Sequence, residues 1–395
     1  MILGATHDVV GTRRPLAGVG SVDDVRDSYG AVQESLEVLG DEPGLVLIFP
    51  TGLLDPDEVA AQAQAAAGDA PVVGMTGTGA ITADGAIATG CSAISFSRSL
   101  HFGVGVGEAS DPRAAGRAAA EGALGIVDLN AGYPVLLLFV DSESGDQAEI
   151  VAGAYDVAGG QIPLAGGAAG GAVRAQFAGG RALSGSVVAV AIVAHAPVGV
   201  GTAHACVPRG VPSIVTRASG STLIQLDGRP AEDVYLEKLG LGDVPLSDAD
   251  FEAVAMSHPL AEPELSGGVR PRYVRARAPG GALVCATSIE TNAAVEICDH
   301  DPGAIVPSAR AAVADAVRQL SGAAAHAALI FECAARSPQF GNRLAGREIE
   351  SIVAAFGDPA PSLAGVYTRG EIARARGAKG DRNYSLVAVA FSSAE

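Results

Sequence analysis

The sequence predicts an α/β protein, in which repeated β-α-β-α-β-β units form two modules with mixed sheets covered by helices. The first reason is size, because 395 residues suffice for about two or three domains. The second is composition, since hydrophobic residues make up 48% of the chain and 52 glycines without a collagen period favour tightly turned packing. The third is an internal repeat, which accounts for the order of the elements.

Three segments of the chain share one order: an apolar strand, a polar loop, an amphipathic helix, a short glycine-rich strand and another strand. They are residues 45–81, 134–172 and 327–372. A β-rich run follows each segment, namely "GCSAISFS", "GSVVAVAIV" and "YSLVAVAF". A strand and a helix precede each segment, and we assign these to residues 17–39, 102–124 and 293–320. Each unit therefore has enough helix to cover its sheet.

Three of the predicted helices have well-marked starts. Asp55, Asp111 and Asp301 each stand directly before a proline. An aspartate at the N-cap accepts hydrogen bonds from the first turn, and proline at the first helical position removes no bond that the helix needs. We therefore interpret all three aspartates as helix caps.

A break between domains is expected near residues 198–208, which divides the chain into residues 1–200 and 201–395. The second part contains a predicted insertion at about residues 205–285. In it, Thr222 to Leu226 is typical of a strand, Asp227-Gly228 of a tight turn, and the segment from Pro230 to Gly240 of a helix. The polar stretch that follows, residues 246–272, is expected to be a surface loop with a short helix.

Charge and cysteine content narrow the functional class. The formal net charge of −18, with Lys238 and Lys379 as the only lysines, argues against nucleic-acid binding because such a surface repels phosphate. The N-terminus lacks a secretion signal, and the most apolar segment is interrupted by His195 and Pro197, so no membrane insertion is expected. Five widely spaced cysteines predict reduced thiols in a cytoplasmic protein: Cys91, Cys206, Cys285, Cys298 and Cys333.

Five motifs occur along the chain in a recognisable order. They are "PLAGGAAGGAVRAQFAGGRALSGSVVAVAIV", "VGVGTAHACVPRGVPSIVTRASGSTLIQLDGRPAEDVYLEKLG", "ALIFECAAR", "LAGVYTRGEI" and "NYSLVAVAF". Together they resemble the FIST proteins, a family of sensory domains with a FIST N and a FIST C module. The resemblance implies that residues 1–200 form the FIST N-like module and residues 201–395 the FIST C-like module.

The resemblance also implies a function in signal transduction, in which the protein senses a small molecule rather than catalysing a reaction. The implied ligand is an amino acid or a similar metabolite, and the implied output is a signalling partner that acts in trans. A haem-binding gas sensor and a non-catalytic interaction scaffold are the alternatives. This sequence departs from the family in "DRNYS", where Arg382 replaces a histidine that many members have and Asn383 is retained.

Polar side chains follow two strands that we expect to be neighbours, residues 327–333 and 363–367. Their carboxyl ends would bring five residues into one crevice, the usual ligand site of an α/β sheet. Arg336 could then clamp a carboxylate, Glu371 could accept an ammonium group, and Tyr367 and Asn383 could supply neutral hydrogen bonds. The predicted ligand-binding residues are Cys333, Arg336, Tyr367, Glu371 and Asn383.

The alternative interpretation of this cluster is structural, with an internal Arg–Glu pair and with Tyr367 and Asn383 bonded to loop carbonyl groups. Arg369 and Arg382 are predicted to lie at the rim, where their charge would attract an anionic ligand.

Other constellations give weaker predictions. The pairs His204/Cys206 and Cys298/His300 could contribute zinc ligands, but nothing in the sequence brings the two pairs together, so no metal site is expected. The glycines that alternate in "GVGVGE" are interpreted as close backbone packing between repeats rather than a nucleotide motif. A threefold β/α repeat resembles cyanuric acid hydrolases in architecture, but two lysines cannot supply three Ser–Lys dyads. We therefore expect no catalysis, and no cofactor unless haem binds.

Overall fold

The structure is a computed structural model of the 395-residue chain. It describes residues 15–393, apart from residues 25, 53–54, 109, 144, 265–266, 337–339 and 375–378. The start of the chain, on which the expectation of no secretion signal rests, lies largely outside the described residues. Among the helices within these ranges, none is long and apolar enough to cross a membrane.

The first two repeats follow the predicted order of elements. The first contains β1 (Ala17–Val22), α1 (Ser28–Leu39), β2 (Pro43–Thr51), α2 (Pro56–Ala67), β3 (Val72–Met75), β4 (Ala80–Thr82), β5 (Gly85–Ile87) and β6 (Gly90–Ser97). The second contains β7 (His101–Gly107), α3 (Pro112–Leu124), β8 (Tyr133–Asp141), α4 (Gln147–Ala158), β9 (Leu164–Ala169), β10 (Gln176–Ala178), β11 (Arg181–Leu183) and β12 (Val187–Ala194).

The third repeat is interrupted after its first strand, β13 (Val198–His204). The interruption contains β14 (Cys206–Ser219), β15 (Thr222–Leu226), β16 (Arg229–Pro230), α5 (Ala231–Lys238), α6 (Asp248–Ser257), β17 (Leu260–Pro263), β18 (Val269–Arg272), β19 (Val274–Ala278), β20 (Ala282–Cys285) and β21 (Ala294–His300). The repeat then continues with α7 (Pro302–Arg318), β22 (Ala325–Cys333), α8 (Asn342–Phe356), β23 (Ser362–Thr368), β24 (Glu371–Arg374), β25 (Asp381–Arg382) and β26 (Ser385–Ser392).

The three repeats exchange hairpins in a ring. Each repeat builds a sheet from four of its own strands and receives a two-stranded hairpin from another repeat. The first sheet has the order β1-β6-β2-β3-β10-β11, the second β25-β24-β9-β8-β12-β7 and the third β13-β26-β22-β23-β4-β5. The mixed α/β architecture is therefore confirmed, and the exchange makes the three repeats one interlocked body. We call this part of the molecule the repeat body.

Three phenylalanines mark the centre of the repeat body. In each repeat, one residue of the central strand pairs with a glycine of the neighbouring parallel strand: Ile48 with Gly74, Leu138 with Gly166, and Ile330 with Gly365. The next residue along the central strand is the phenylalanine, namely Phe49, Phe139 or Phe331. Their ring centroids lie 6.1 to 6.2 Å apart, and two of the three contacts are edge to face. All three rings are fully buried. The same position of each repeat therefore contributes one ring to a shared core.

The prediction of which residues form the first strand of the third repeat was wrong. Residues 294–300 form β21, which pairs with β14 and β17 in a separate sheet, whereas β13 pairs with β26 as β1 pairs with β6. The sequence signal is a glycine alternation in β13: a Cβ at Gly199 or Gly201 would lie 2.0 Å from a carbonyl oxygen of α7. The close backbone approach that we predicted for such glycines is present, but it was wrong to expect it between repeats, since Gly103 and Gly105 likewise face a helix of their own repeat.

The separate sheet and its helices form the insertion, which we define as residues 206–300. Its strands follow the order β18-β17-β21-β14-β15-β20-β19, with β16 paired to β15. The predicted strand Thr222–Leu226 and the Asp227-Gly228 turn are confirmed. The stretch expected to be a surface loop with a short helix contains that helix, α6. The rest of the stretch is not a loop throughout, because it forms the antiparallel pair β17 and β18, in which Arg270 and Arg272 have buried acidic partners.

The three predicted aspartate caps are confirmed. Asp55, Asp111 and Asp301 each accept a hydrogen bond from the backbone of the first turn, and each precedes a proline at the start of its helix. These helices cover the outer faces of the sheets, which leaves the carboxyl ends of β2, β8 and β22 free to converge at one end of the body.

Candidate functional site

The chain at the ends of β3, β9 and β23 closes on itself at the end of the phenylalanine core. The N–H of Thr78 donates to the carbonyl oxygen of Tyr367 at 3.0 Å, that of Gly170 to Thr76 at 3.1 Å, and that of Arg369 to Ala168 at 3.0 Å. Each bond joins a different pair of repeats, so the three form a ring. Gly170 has no side chain, so at this loop position only the first and third repeats contribute a polar side chain, namely Thr78 and Arg369.

A pocket of about 300 Å³ opens beside this ring, between the repeat body and the insertion. The side on the repeat body includes Thr78, Cys333, Thr368, Arg369 and Asn383. β22 and β23 are parallel neighbours with Cys333 opposite Thr368, so the predicted crevice at the carboxyl ends of these strands is present.

The insertion supplies the opposite wall. Glu252 and Met256 project from α6, while Tyr273 and Arg275 come from the end of the β18 and β19 region. Arg275 donates to the carbonyl oxygen of Ser142 at 3.1 Å. The pocket therefore combines acidic, basic, aromatic and thioether groups from two parts of the molecule.

Arg369 is the free cation of this pocket. Its side chain is exposed and forms neither a hydrogen bond nor an ion pair with any residue that the structure describes. Arg275, by contrast, lies 3.6 Å from the carboxylate of Glu143. A guanidinium without an internal partner can bind a ligand carboxylate without breaking an existing bond.

Glu371 lies directly beneath the pocket wall. Its carboxyl group accepts a hydrogen bond from the hydroxyl of Thr368 at 2.7 Å and one from the N–H of Ser385 at 3.0 Å. Burial raises the pKa of Glu371 to about 8, although these hydrogen bonds and the neighbouring thiol of Cys333 act in the opposite direction. Burial likewise raises the pKa of the Cys333 thiol far above its usual range, so this thiol is neutral.

The structure brings three of the five predicted ligand-binding residues to the pocket region. Cys333 and Asn383 line the pocket, and Glu371 supports the wall from behind. Tyr367 is buried in the apolar layer between the third sheet and its helices, with its ring against Gly79. The predicted rim residue Arg369 lines the pocket, whereas Arg382 pairs with Glu264 at 2.6 Å.

Arg336 lies away from the pocket. Its guanidinium is fully buried, 2.6 Å from a carboxylate oxygen of Glu348, and it also donates to the carbonyl oxygens of Ile305 and Tyr384. This placement corresponds to the structural alternative, an internal Arg–Glu pair. The carboxylate-binding role of Arg336 stays a prediction, since this guanidinium already has a carboxylate partner inside the protein.

Sequence reasoning missed the whole wall that the insertion contributes. Glu252, Tyr273 and Arg275 lie about a hundred residues from Arg369, and no local pattern links them. Thr78 could have been found from the repeat alignment, because it occupies in the first repeat the place of Arg369 in the third.

The two histidine–cysteine pairs do meet, contrary to the expectation from sequence. Cys206 lies opposite His300 in the β14 and β21 pairing. His204 places Nε2 2.8 Å from the carbonyl oxygen of Val269, and burial lowers the pKa of His300 to about 4. Within the described ranges, no group of three or more histidine, cysteine, aspartate or glutamate side chains is placed to hold a metal ion. All five cysteines are buried and unpaired.

The fold and the pocket define an α/β repeat protein with a cavity of small-molecule size between two parts of the chain. The family model of the FIST N domain matches residues 44–229, and that of the FIST C domain matches residues 231–374. The chain belongs to the FIST family, whose domains are recognised as sensory and signal-transduction domains. The module boundary at residues 200–201 stays a prediction.

Other comparisons add little. No curated protein matches the chain. One solved structure, described as "Cyanuric acid hydrolase: evolutionary innovation by structural concatenation", is 11% identical, with 95% of this chain and 98% of that chain covered and a TM-score of 0.32. The crystal structure of cyanuric acid hydrolase from A. caulinodans is 12% identical, with 96% and 100% covered and a TM-score of 0.30. At these scores neither comparison assigns an activity.

Proposed function

We propose that this protein is a sensor that binds a small ligand, an amino acid or a close analogue, in the pocket between the repeat body and the insertion. Binding is read by a signalling partner in trans. The observation that carries the proposal is the unpaired guanidinium of Arg369 in a pocket that also presents carboxylates. Arg369 would bind the ligand carboxylate, and Glu252 the ammonium group.

The other residues of the pocket suit the uncharged part of an amino acid. Met256, Tyr273 and Ala335 supply apolar surface, while Thr78 and Asn383 supply hydrogen-bonding groups. A cavity of about 300 Å³ is at the lower end of the range for small-molecule sites, which fits a metabolite better than a large cofactor. The volume, rather than the choice of side chains, argues against haem at this site, since Met256, Tyr273 and Cys333 carry atoms of the kinds that ligate haem iron.

A thermal-shift screen of the purified protein against the individual amino acids tests the proposal, because a ligand that binds the native state raises the melting temperature by mass action. The Arg369→Ala variant should weaken the binding of a hit by about tenfold or more, since a charge-assisted hydrogen bond is lost. Arg217→Ala is the matched control, because Arg217 is an exposed arginine outside the pocket.

Two outcomes would contradict the proposal. A hit that binds Arg369→Ala as tightly as the parent protein would remove the site assignment. A screen without any hit, together with a partner captured specifically by the ligand-free protein, would favour the interaction scaffold. A visible absorption band in the purified protein would instead favour haem binding.

A further inference from the structure

We propose that the insertion is a hinged lid over the pocket, held closed by four consecutive residues of the repeat body, Asp381 to Tyr384. This inference builds on the proposed function of the pocket, because a lid matters only where a ligand enters.

The insertion is built as a separate unit. Its sheet is distinct from the three sheets of the repeat body, and it has its own apolar core, which includes Leu223, Tyr235, Phe251 and Leu283. A unit with its own core can keep its internal structure when it moves relative to its neighbour.

The chain enters and leaves the insertion at one place. β13 continues into β14 through Ala205, and β21 continues into α7 through Asp301. The N–H of Asp301 donates to the carbonyl oxygen of Ala205 at 2.9 Å, so the two crossings lie side by side. Two adjacent crossings permit rotation of one unit against the other, as a hinge requires.

Ion pairs form the first part of the contact that holds the lid closed. The carboxylate of Asp381 lies 2.7 Å from both Arg270 and Arg272 of the insertion, and all three side chains are buried. Arg382 pairs with Glu264 at 2.6 Å. Buried ion pairs specify geometry well, but desolvation of the charges offsets much of their attraction.

The next two residues add hydrogen bonds to the contact, to which Arg275 contributes through Ser142 and Ser288 through Asp146. The side-chain carbonyl of Asn383 accepts a hydrogen bond from the N–H of Tyr273 at 3.1 Å. The hydroxyl of Tyr384 donates to the carbonyl oxygen of Met256 at 3.1 Å. Tyr384 is fully buried and adopts a left-handed backbone conformation, with φ of 54°, which is strained for a tyrosine and is held by this contact.

The apolar part of the contact is small. It consists of one cluster of five buried residues with three partly buried residues packed against it, namely Cys206, Ala261, Val269, Cys298 and Tyr384 with Met256, Tyr273 and Ala335. The core of the repeat body, by comparison, joins all three of its sheets. The docked position is therefore defined by polar geometry more than by buried apolar area, and a modest binding energy is enough to shift the docking equilibrium.

The pocket lies across this contact. Tyr273 and Met256 line the pocket and also donate or accept the hydrogen bonds that hold the lid. A ligand that touches both Tyr273 and Arg369 binds fully only when the lid is closed, so its binding energy adds to the docking energy. Closure of the insertion is then the conformational change that a partner detects.

Hydrogen exchange of the ligand-free protein, followed by mass spectrometry, tests the lid. We compare the parent protein with Asp381→Asn and with Asp315→Asn, whose surface pair with Arg318 makes it the matched control. Asp381→Asn should speed exchange at the Tyr273 amide by about tenfold or more, while the three sheets of the repeat body keep their protection. Asp315→Asn should match the parent.

The lid is ruled out if Asp381→Asn exchanges like the parent at Tyr273, or if the body and insertion lose protection together. Arg382→Gln is a milder change that can be used if Asp381→Asn fails to fold. It should also speed exchange at Tyr273 alone, and parent-like exchange there counts against the lid.

A mixture of the twenty amino acids should slow exchange at Tyr273 of the parent. If this mixture neither raises the melting temperature nor slows exchange, the proposed function fails while the lid is judged on the ligand-free comparison.

Discussion

The guanidinium of Arg336 lies 2.6 Å from Oε1 of Glu348, and both side chains are fully buried. A second carboxylate, that of Glu332, lies 3.7 Å from the same guanidinium. Arg336 also donates hydrogen bonds to Ile305 of α7 and to Tyr384 at the start of β26, while Glu348 belongs to α8. This arginine therefore connects the helices of the third repeat to its sheet.

Removal of the Arg336 side chain should destabilise the protein. In Arg336→Ala, Glu348 and Glu332 would be buried without their counter-charge, which typically costs about 3–5 kcal/mol. Urea denaturation measures the loss, and Arg347→Ala is the control because Arg347 is exposed on the same helix. An Arg336→Ala midpoint equal to that of the control would mean that the pair contributes nothing to stability.

The stability of the protein should carry a pH dependence that comes from Glu371. The pKa of its carboxyl group is about 8 in the folded protein, against 4.5 as the ordinary value, so the folded state keeps a proton that the unfolded state has lost. The contribution to stability is complete below pH 4.5 and is lost as the pH rises towards 8.

Glu371→Gln removes this titration. The stability of the variant relative to the parent should therefore increase with pH between about 5 and 8, by up to about 1.4 kcal/mol per pH unit. Urea titrations of both proteins at several pH values measure the difference. A constant difference across this range would show that Glu371 is ionised in the folded protein.

The three central phenylalanines should be energetically equivalent. Truncation of Phe49, Phe139 or Phe331 to alanine should each cost about 3–5 kcal/mol, because every one of these rings is fully buried against the other two. Pairs of substitutions should be non-additive, since the rings are in contact. Chemical denaturation measures both effects, with Tyr29→Ala as a control at a residue that is 46% exposed. Additive pairs would contradict a shared core.

Substitution of glycine by alanine should have opposite effects on stability in two of the helices. In Gly153→Ala of α4, the new Cβ would lie 1.9 Å from the carbonyl oxygen of Arg113, so α3 and α4 would have to separate and stability should fall. In Gly346→Ala of α8, the Cβ would meet no atom within 4 Å, and helix propensity should raise stability by up to about 1 kcal/mol. Melting temperatures of the two variants provide the test, and shifts of the same sign would contradict the predicted packing.

The repeats, the helix caps and the adjoining ends of β22 and β23 were predictable from sequence, because each depends on residues that are close along the chain. An aspartate before a proline caps a helix through its own first turn, as at Asp301. Apolar periodicity likewise identifies a buried strand without reference to its neighbours. These local signals were also sufficient to place Cys333 and Asn383 at the pocket.

The tertiary structure alone decided which residues face each other across long separations. The exchange of hairpins, the start of the insertion after β13 and the contact of Tyr273 with Asn383 depend on strand register and burial, and neither leaves a local pattern. Arg336 shows the physical reason most directly. The sequence determined that an arginine follows β22, but only the packing of α8 against the sheet decided that its charge is matched by Glu348 inside the protein rather than by a ligand.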